Sequence, residues 1–186
     1  METSSPAAIT LILGGARSGK SRYAQALAAQ AKGKDVVYLA TAEPSDDEML
    51  SKIERHRQER PPIWKTVEVP LDLDHAVTKY GGKNSFLLID CLTTFTANLM
   101  AAEKGNGDAI LRRANRLRSA LMATEGRAVV VSNEVGSGVV PAYPSGCQFR
   151  ELLGEINQSI AQISRDVIFM VAGCPLALKG AVEPIR

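Results

Sequence analysis

Short apolar runs alternate with longer amphipathic segments along the whole chain. Residues 9–13 form an apolar run of strand length, and 36–40, 86–90, 128–132 and 167–172 repeat it, the last being the final expected strand. Residues 64–69 alternate in character and read as one more strand. Between the runs lie helical patterns. Residues 18–31 are rich in alanine and leucine. Residues 108–124 place Ile110, Ala114, Leu117 and Leu121 at steps of three and four, and 149–164 place Leu152, Ile156, Ile160 and Ile163 on one stripe. Ser45 with Glu48 three residues on is a capping box, so a helix is expected over 46–60, stopped by Pro61 and Pro62. Strand and helix in alternation imply parallel β-α-β units, an α/β sheet covered on both faces. One domain over 1–186 is expected, with 1–7 and 180–186 as flexible tails and 81–84 and 104–108 as the loosest internal segments.

Composition narrows the classes. With 186 residues, 45% apolar, the chain can bury a core without staples. Its 22 basic and 20 acidic residues leave a net charge of +2, which argues against a strongly basic nucleic-acid binder. Cys91, Cys147 and Cys174 form no C-x-x-C pair, and an odd count makes a poor disulfide framework, so a reduced, cytoplasmic setting is expected. The first eight residues lack a signal-peptide pattern, and no apolar run has the length of a membrane span.

Residues 14–21, Gly14-Gly15-Ala16-Arg17-Ser18-Gly19-Lys20-Ser21, fit G-x-x-x-x-G-K-[ST] in full, between an expected strand and helix. The glycines let the backbone turn its N–H groups towards a phosphate, and the helix N-terminus adds partial positive charge. Lys20 is expected to reach the β- and γ-phosphates of a nucleoside triphosphate, and the Ser21 hydroxyl to ligate magnesium. Such a loop needs an acid at the end of a neighbouring strand, and Asp90 closes one; the competing reading makes it a cap for the next helix. Asn133 and Glu134 close another strand at the same edge, where either substrate contact or loop structure accounts for them.

The stretch Arg55-His56-Arg57-Gln58-Glu59-Arg60 reads first as a solvated helix face. Yet it follows the strand ending in Ala40-Thr41-Ala42, and His56 and Arg60 are four apart, on one face. Like charges bias an imidazole towards its neutral, nucleophilic form. A catalytic His56 therefore stands beside the solvated-face reading. His75, at a helix start, reads as structural or exposed.

These residues resemble the bifunctional adenosylcobinamide kinase / adenosylcobinamide-phosphate guanylyltransferase family of cobalamin biosynthesis, from the phosphate loop to Lys179. The matching blocks are the phosphate loop, Ala40-Thr41-Ala42, Asp46-Asp47-Glu48-Met49 and His56-x-x-x-Arg60-Pro61. They continue with Leu88-Ile89-Asp90-Cys91-Leu92-Thr93, Asn98-Leu99 and Val131-Ser132-Asn133-Glu134-Val135-Gly136-x-Gly138-Val139-Val140-Pro141. Phe149-Arg150, Asn157-Gln158, Gly173-x-Pro175-Leu176 and Lys179 complete the set. The resemblance implies a RecA-like P-loop fold, assembled as a trimer. It implies phosphorylation of the aminopropanol hydroxyl of adenosylcobinamide by a nucleoside triphosphate, ATP or GTP. GMP is then moved from GTP through a histidine–GMP intermediate, here on His56. Ala40, Thr41, Ala42, Arg57, Gln58, Glu59, Arg60, Glu68 and Asp90 would join the phosphate loop in holding nucleotide, with Mg2+ at Ser21 and Asp90. One stretch departs: after Pro141, Ala142-Tyr143-Pro144-Ser145-Gly146-Cys147-Gln148 replaces a charged, arginine-containing run. Two other readings compete with it. A plain P-loop kinase would leave His56 idle, and a nucleic-acid-assembling RecA-like ATPase sits poorly with 5% aromatic residues and near-neutral charge.

Overall fold

The computed structural model describes residues 8–43 and 60–185. Seven strands are present: β1 (Ala8–Gly14), β2 (Asp35–Ala40), β3 (Lys65–Glu68), β4 (Ser85–Asp90), β5 (Arg127–Val131), β6 (Asp166–Val171) and β7 (Cys174–Lys179). Among the described residues five helices accompany them: α1 (Lys20–Ala29), α2 (Leu73–Tyr80), α3 (Leu92–Ala102), α4 (Gly107–Met122) and α5 (Pro144–Ile163). They form one sheet in the order β3-β2-β4-β5-β1-β6-β7. Every pairing is parallel except β6 with β7.

The sheet has two apolar faces because strand side chains alternate. Leu87 and Ile89 of β4 join Leu11 of β1 and the inward residues of α2 to α5, among them Leu73, Phe95, Leu117 and Ile156. Phe86 and Leu88 point the other way, with Ile12, Val129 and Ile168, and α1 covers them with Tyr23, Ala24 and Leu27. Leu11, Leu87, Phe86 and Leu88 are fully buried. Burial of each such side chain contributes roughly 1.5–3 kcal/mol.

The structure revises several sequence expectations. Residues 167–172 do not end the sheet: β7 returns antiparallel beside β6. Helix α5 begins at Pro144, not at 149, with that proline in its first turn, where its missing N–H costs nothing. The expected tail after 179 is tied back. Ala181 donates its N–H to Asp166 at 3.2 Å, Tyr23 donates its hydroxyl to the Glu183 carbonyl at 2.9 Å, and Glu183 pairs with Arg127 at 2.8 Å. The helix expected over 46–60 lies outside the described residues except for Arg60.

Candidate active site

Gly14 ends β1 and Lys20 opens α1, so the phosphate loop bridges a strand and a helix N-terminus. Its backbone admits little but glycine at two points. Gly14 has φ 153°, and a Cβ there would lie 2.5 Å from the Met170 carbonyl. Gly19, the N-cap, has φ 95° and sits 3.3 Å from the Gly173 Cα by the same measure. Arg17 also takes a positive φ, 55°. Gly173 donates its N–H to the Ser18 carbonyl at 3.0 Å, so the β6–β7 turn braces the loop. Among the described residues the buried Ser18 hydroxyl has no partner. Ala16 and Arg17 are exposed, and Ser21 is half-buried in the first turn of α1.

Lys20 is 8% exposed, and its Nζ donates to the Gly15 carbonyl at 2.6 Å. Burial lowers its pKa below the ordinary lysine value, opposed by Cys91 and Asp90. Burial also pushes the Cys91 thiol up and keeps it neutral, so Asp90 is the negative charge facing the lysine.

Register fixes the rest of the edge. Asp90 pairs with Ala40 of β2, which pairs with Glu68 of β3, so the three residues form one row at the carboxyl ends of their strands. β5 lies between β1 and β4, which places Asp90 about 10 Å, two strand spacings, from the phosphate-loop strand. The N-cap of α3 is Cys91, with no side-chain cap bond. Asp90 therefore does not cap the helix. Its Oδ2 accepts the Tyr38 hydroxyl proton at 2.8 Å. Burial and the Asp90 charge push Tyr38 far above its ordinary pKa, so the hydroxyl remains a donor. The Arg60 guanidinium lies 3.6 Å above the Tyr38 ring and reaches Thr66 at 3.4 Å.

Of the other expected nucleotide contacts, Glu68 is exposed and Ala40 and Ala42 half-buried. Thr41 is fully buried, and its hydroxyl is engaged with Cys91, donating to the carbonyl and accepting from the N–H, both at 2.8 Å. Asn98 donates to the Thr41 carbonyl at 2.8 Å. Thr41 thus clasps the ends of β2 and β4. His56, Arg57, Gln58 and Glu59 lie outside the described residues.

Asn133 is held from both sides. Its N–H donates to Thr93 Oγ1 at 2.8 Å, and its carbonyl accepts from Asn157 Nδ2 at 3.0 Å. Glu134 donates its N–H to the Gly14 carbonyl at 3.1 Å, while its carboxylate accepts the Ser137 N–H at 3.0 Å. The bond from Glu134 to Gly14 fastens the β5 exit loop to the phosphate loop, and the bonds of Asn133 hold it to α3 and α5. Sequence reasoning missed Tyr38, Thr93 as a clamp, and the contact of Gly173 with the loop. Each joins residues distant in the chain, so no local pattern announces it. A cleft of about 520 Å³ between α2 and α4, lined by Asp74, His75, Arg112 and Arg116 among others, contains none of the site residues.

Residues 10–178 match the family described as cobinamide kinase / cobinamide phosphate guanyltransferase. The bifunctional adenosylcobalamin biosynthesis protein CobP of Pseudomonas aeruginosa is 41% identical over 180 residues, covering 94% of this chain and 98% of that protein. The bifunctional adenosylcobalamin biosynthesis proteins CobU of Escherichia coli and Salmonella typhimurium are 37% and 36% identical, each covering 91% of this chain and 98% of the relative. Among solved structures, a prototypical ATPase from the type III secretion system of pathogenic bacteria superposes with a TM-score of 0.55 at 14% identity, covering 91% of this chain and 56% of that one. That likeness speaks to the fold alone.

Proposed function

The chain belongs to the cobinamide kinase / cobinamide phosphate guanyltransferase family, and from that membership we propose that it catalyses both steps on adenosylcobinamide. The observation that carries the reading is the phosphate loop with Lys20 buried at its mouth and Asp90 set two strands away. In the kinase step, the hydroxyl of the aminopropanol arm attacks the γ-phosphorus of ATP or GTP. The bond to the β-phosphate oxygen breaks, the nucleoside diphosphate leaves, and the hydroxyl proton goes to solvent. The loop N–H groups and Lys20 hold the phosphate charge where it shifts during transfer.

In the second step, neutral His56 attacks the α-phosphorus of GTP and pyrophosphate leaves. A terminal phosphate oxygen of adenosylcobinamide phosphate then displaces the histidine from phosphorus, giving adenosylcobinamide-GDP and restoring the imidazole. Splitting one displacement into two through a reactive phosphoramidate is ordinary nucleophilic catalysis. Arg57 and Arg60 suit the spreading of phosphate charge, and Gln58, Glu59 and Glu68 complete the proposed nucleotide contacts.

Magnesium fits the donors present. The Ser21 hydroxyl stands in the first turn of α1, and Asp90 offers a carboxylate at the end of a nearby strand, an all-oxygen set of the kind Mg2+ takes with several waters. Bound there, it would neutralise charge on the phosphates. Three free cysteines support a reduced, cytoplasmic setting. Among the described residues no helix is long and apolar enough to cross a membrane. The assembly is a homo-oligomer, a trimer by the resemblance, which sedimentation velocity would test.

The deciding experiment is covalent labelling. After incubation with magnesium and GTP labelled at the α-phosphate, denatured protein should retain label that mild acid removes and base does not. His56→Asn should abolish the label, keep GTP binding, and spare the kinase step better than the transfer step. Wild-type protein without label would reduce the reading to a plain kinase, and equal label on the variant would move the nucleophile elsewhere. His75→Ala is the control and should change nothing.

A further inference from the structure

Tyr38 is a core residue with one polar atom, and that atom is spent on a single partner. It lies on β2, 3% exposed, among Ile12, Trp64, Phe86 and Leu88. A phenol in such surroundings needs a partner for its hydroxyl. Here the partner is Oδ2 of Asp90 at 2.8 Å, across the β2–β4 pairing. Among the described residues Asp90 Oδ1 has no hydrogen-bond partner, so one carboxylate oxygen is tied down and the other is left over. Phenylalanine would pack in the same apolar surroundings and strand no buried hydroxyl, so the core alone does not account for the oxygen of Tyr38.

One face of the ring carries Arg60, whose guanidinium lies 3.6 Å from the ring centroid. Arg60 closes the motif His56-x-x-x-Arg60-Pro61. One aromatic ring therefore contacts the strand-end carboxylate through its hydroxyl and the arginine of the histidine motif through its face.

From this we infer that Tyr38 is a positioning residue for the metal–nucleotide complex. Its hydroxyl fixes the rotamer of Asp90 so that Oδ1 faces the magnesium side of the site, and its ring seats Arg60. The inference rests on the proposal that Asp90 serves magnesium. A carboxylate held by a short bond to a buried donor enters the complex already oriented, and preorganisation of this kind appears as affinity. Tyr38 itself touches neither phosphate nor substrate in this scheme.

The test uses Tyr38→Phe, which keeps the ring and the seat of Arg60 and removes only the hydroxyl. Manganese binding is read by electron paramagnetic resonance in the presence of the α,β-methylene analogue of GTP, whose α–β bridge the enzyme cannot cleave. Tyr38→Phe should weaken manganese binding about three- to tenfold while leaving analogue binding without metal unchanged. In the kinase assay the metal concentration for half-maximal rate should rise by the same factor, with the rate at saturating metal close to wild type. In an Asp90→Asn background the Tyr38→Phe change should have no further effect on metal binding. Wild-type manganese affinity in Tyr38→Phe would overturn the inference, whatever its thermal stability, as would an equal loss of affinity in both backgrounds. If Asp90→Asn itself bound manganese normally, the magnesium assignment would fall and this inference with it. A loss in Asp90→Asn without one in Tyr38→Phe would remove the inference alone.

Discussion

Gly173 and Ser18 are joined by a backbone hydrogen bond of 3.0 Å, and through it the turn between β6 and β7 supports the phosphate loop from outside. Gly19 lies between these elements with φ 95°. Replacing it with alanine sets a Cβ 3.3 Å from the Gly173 Cα in a left-handed conformation that L-residues adopt at about 1–2 kcal/mol. Gly19→Ala should weaken GTP binding about tenfold or more and reduce both activities in parallel. Isothermal titration beside a thermal melt would check this, with near-normal affinity as the contrary result.

Lys20→Ala should abolish both reactions, because both use a triphosphate held by the same loop. Loss of such a charge typically removes several kcal/mol of transition-state stabilisation. The wild-type lysine also predicts a pH effect. Burial lowers its pKa below the ordinary 10.5, so it loses charge as pH rises through that lowered value. Triphosphate binding should therefore fall on the alkaline side at a pH below 10.5, and in Lys20→Ala that limb should vanish. Fluorescent-nucleotide titration across pH would show it.

Asn157 is 6% exposed and holds the Asn133 carbonyl. Asn157→Leu leaves that acceptor without its donor, a loss worth about 1–3 kcal/mol of stability. The denaturant midpoint should fall accordingly. Turnover should drop as well, since the same bond steadies the β5 exit beside the phosphate loop. A stable variant with wild-type turnover would mean that Asn133 needs no such clamp.

Ending the chain after Ala181 should cost roughly 1–2 kcal/mol of stability and leave turnover unchanged. It removes the half-exposed Glu183–Arg127 pair, the acceptor for the Tyr23 hydroxyl and the packing of Val182 against the second core face. Differential scanning calorimetry and a turnover assay separate the two outcomes.

The parts legible in the sequence were those written locally. The phosphate loop occupies consecutive residues, and Asp90 follows four apolar residues of its own strand. β7 escaped because its pattern is inverted: Leu176 and Leu178 are 57% and 60% exposed while Ala177 between them is partly covered. Apolar periodicity therefore pointed to the wrong face, and Pro175 argued against a strand. The start of α5 escaped because Pro144 to Cys147 are weak helix formers by composition. There Gly146 lets the helix pass close to Pro141 and Tyr143, where a Cβ would meet ring and side-chain atoms at 2.7 Å. The bond from Tyr38 to Asp90 spans 52 residues, and only the pairing of β2 with β4 brings its ends together. Strand order itself is set by how the crossovers pack, and periodicity says nothing of it.

The antiparallel return of β7 also decides where attachments can go. It carries the chain from Cys174, beside the phosphate loop, back to Lys179, level with Val167, and on to Glu183 against Arg127 at the foot of β5. Ala8 opens β1 in register with that same Arg127. The first and last described stretches therefore leave the fold side by side, on the side remote from the phosphate loop. A tether attached through a residue at the opening of β1 or beside Glu183 would hold the protein with its phosphate-loop edge facing outward.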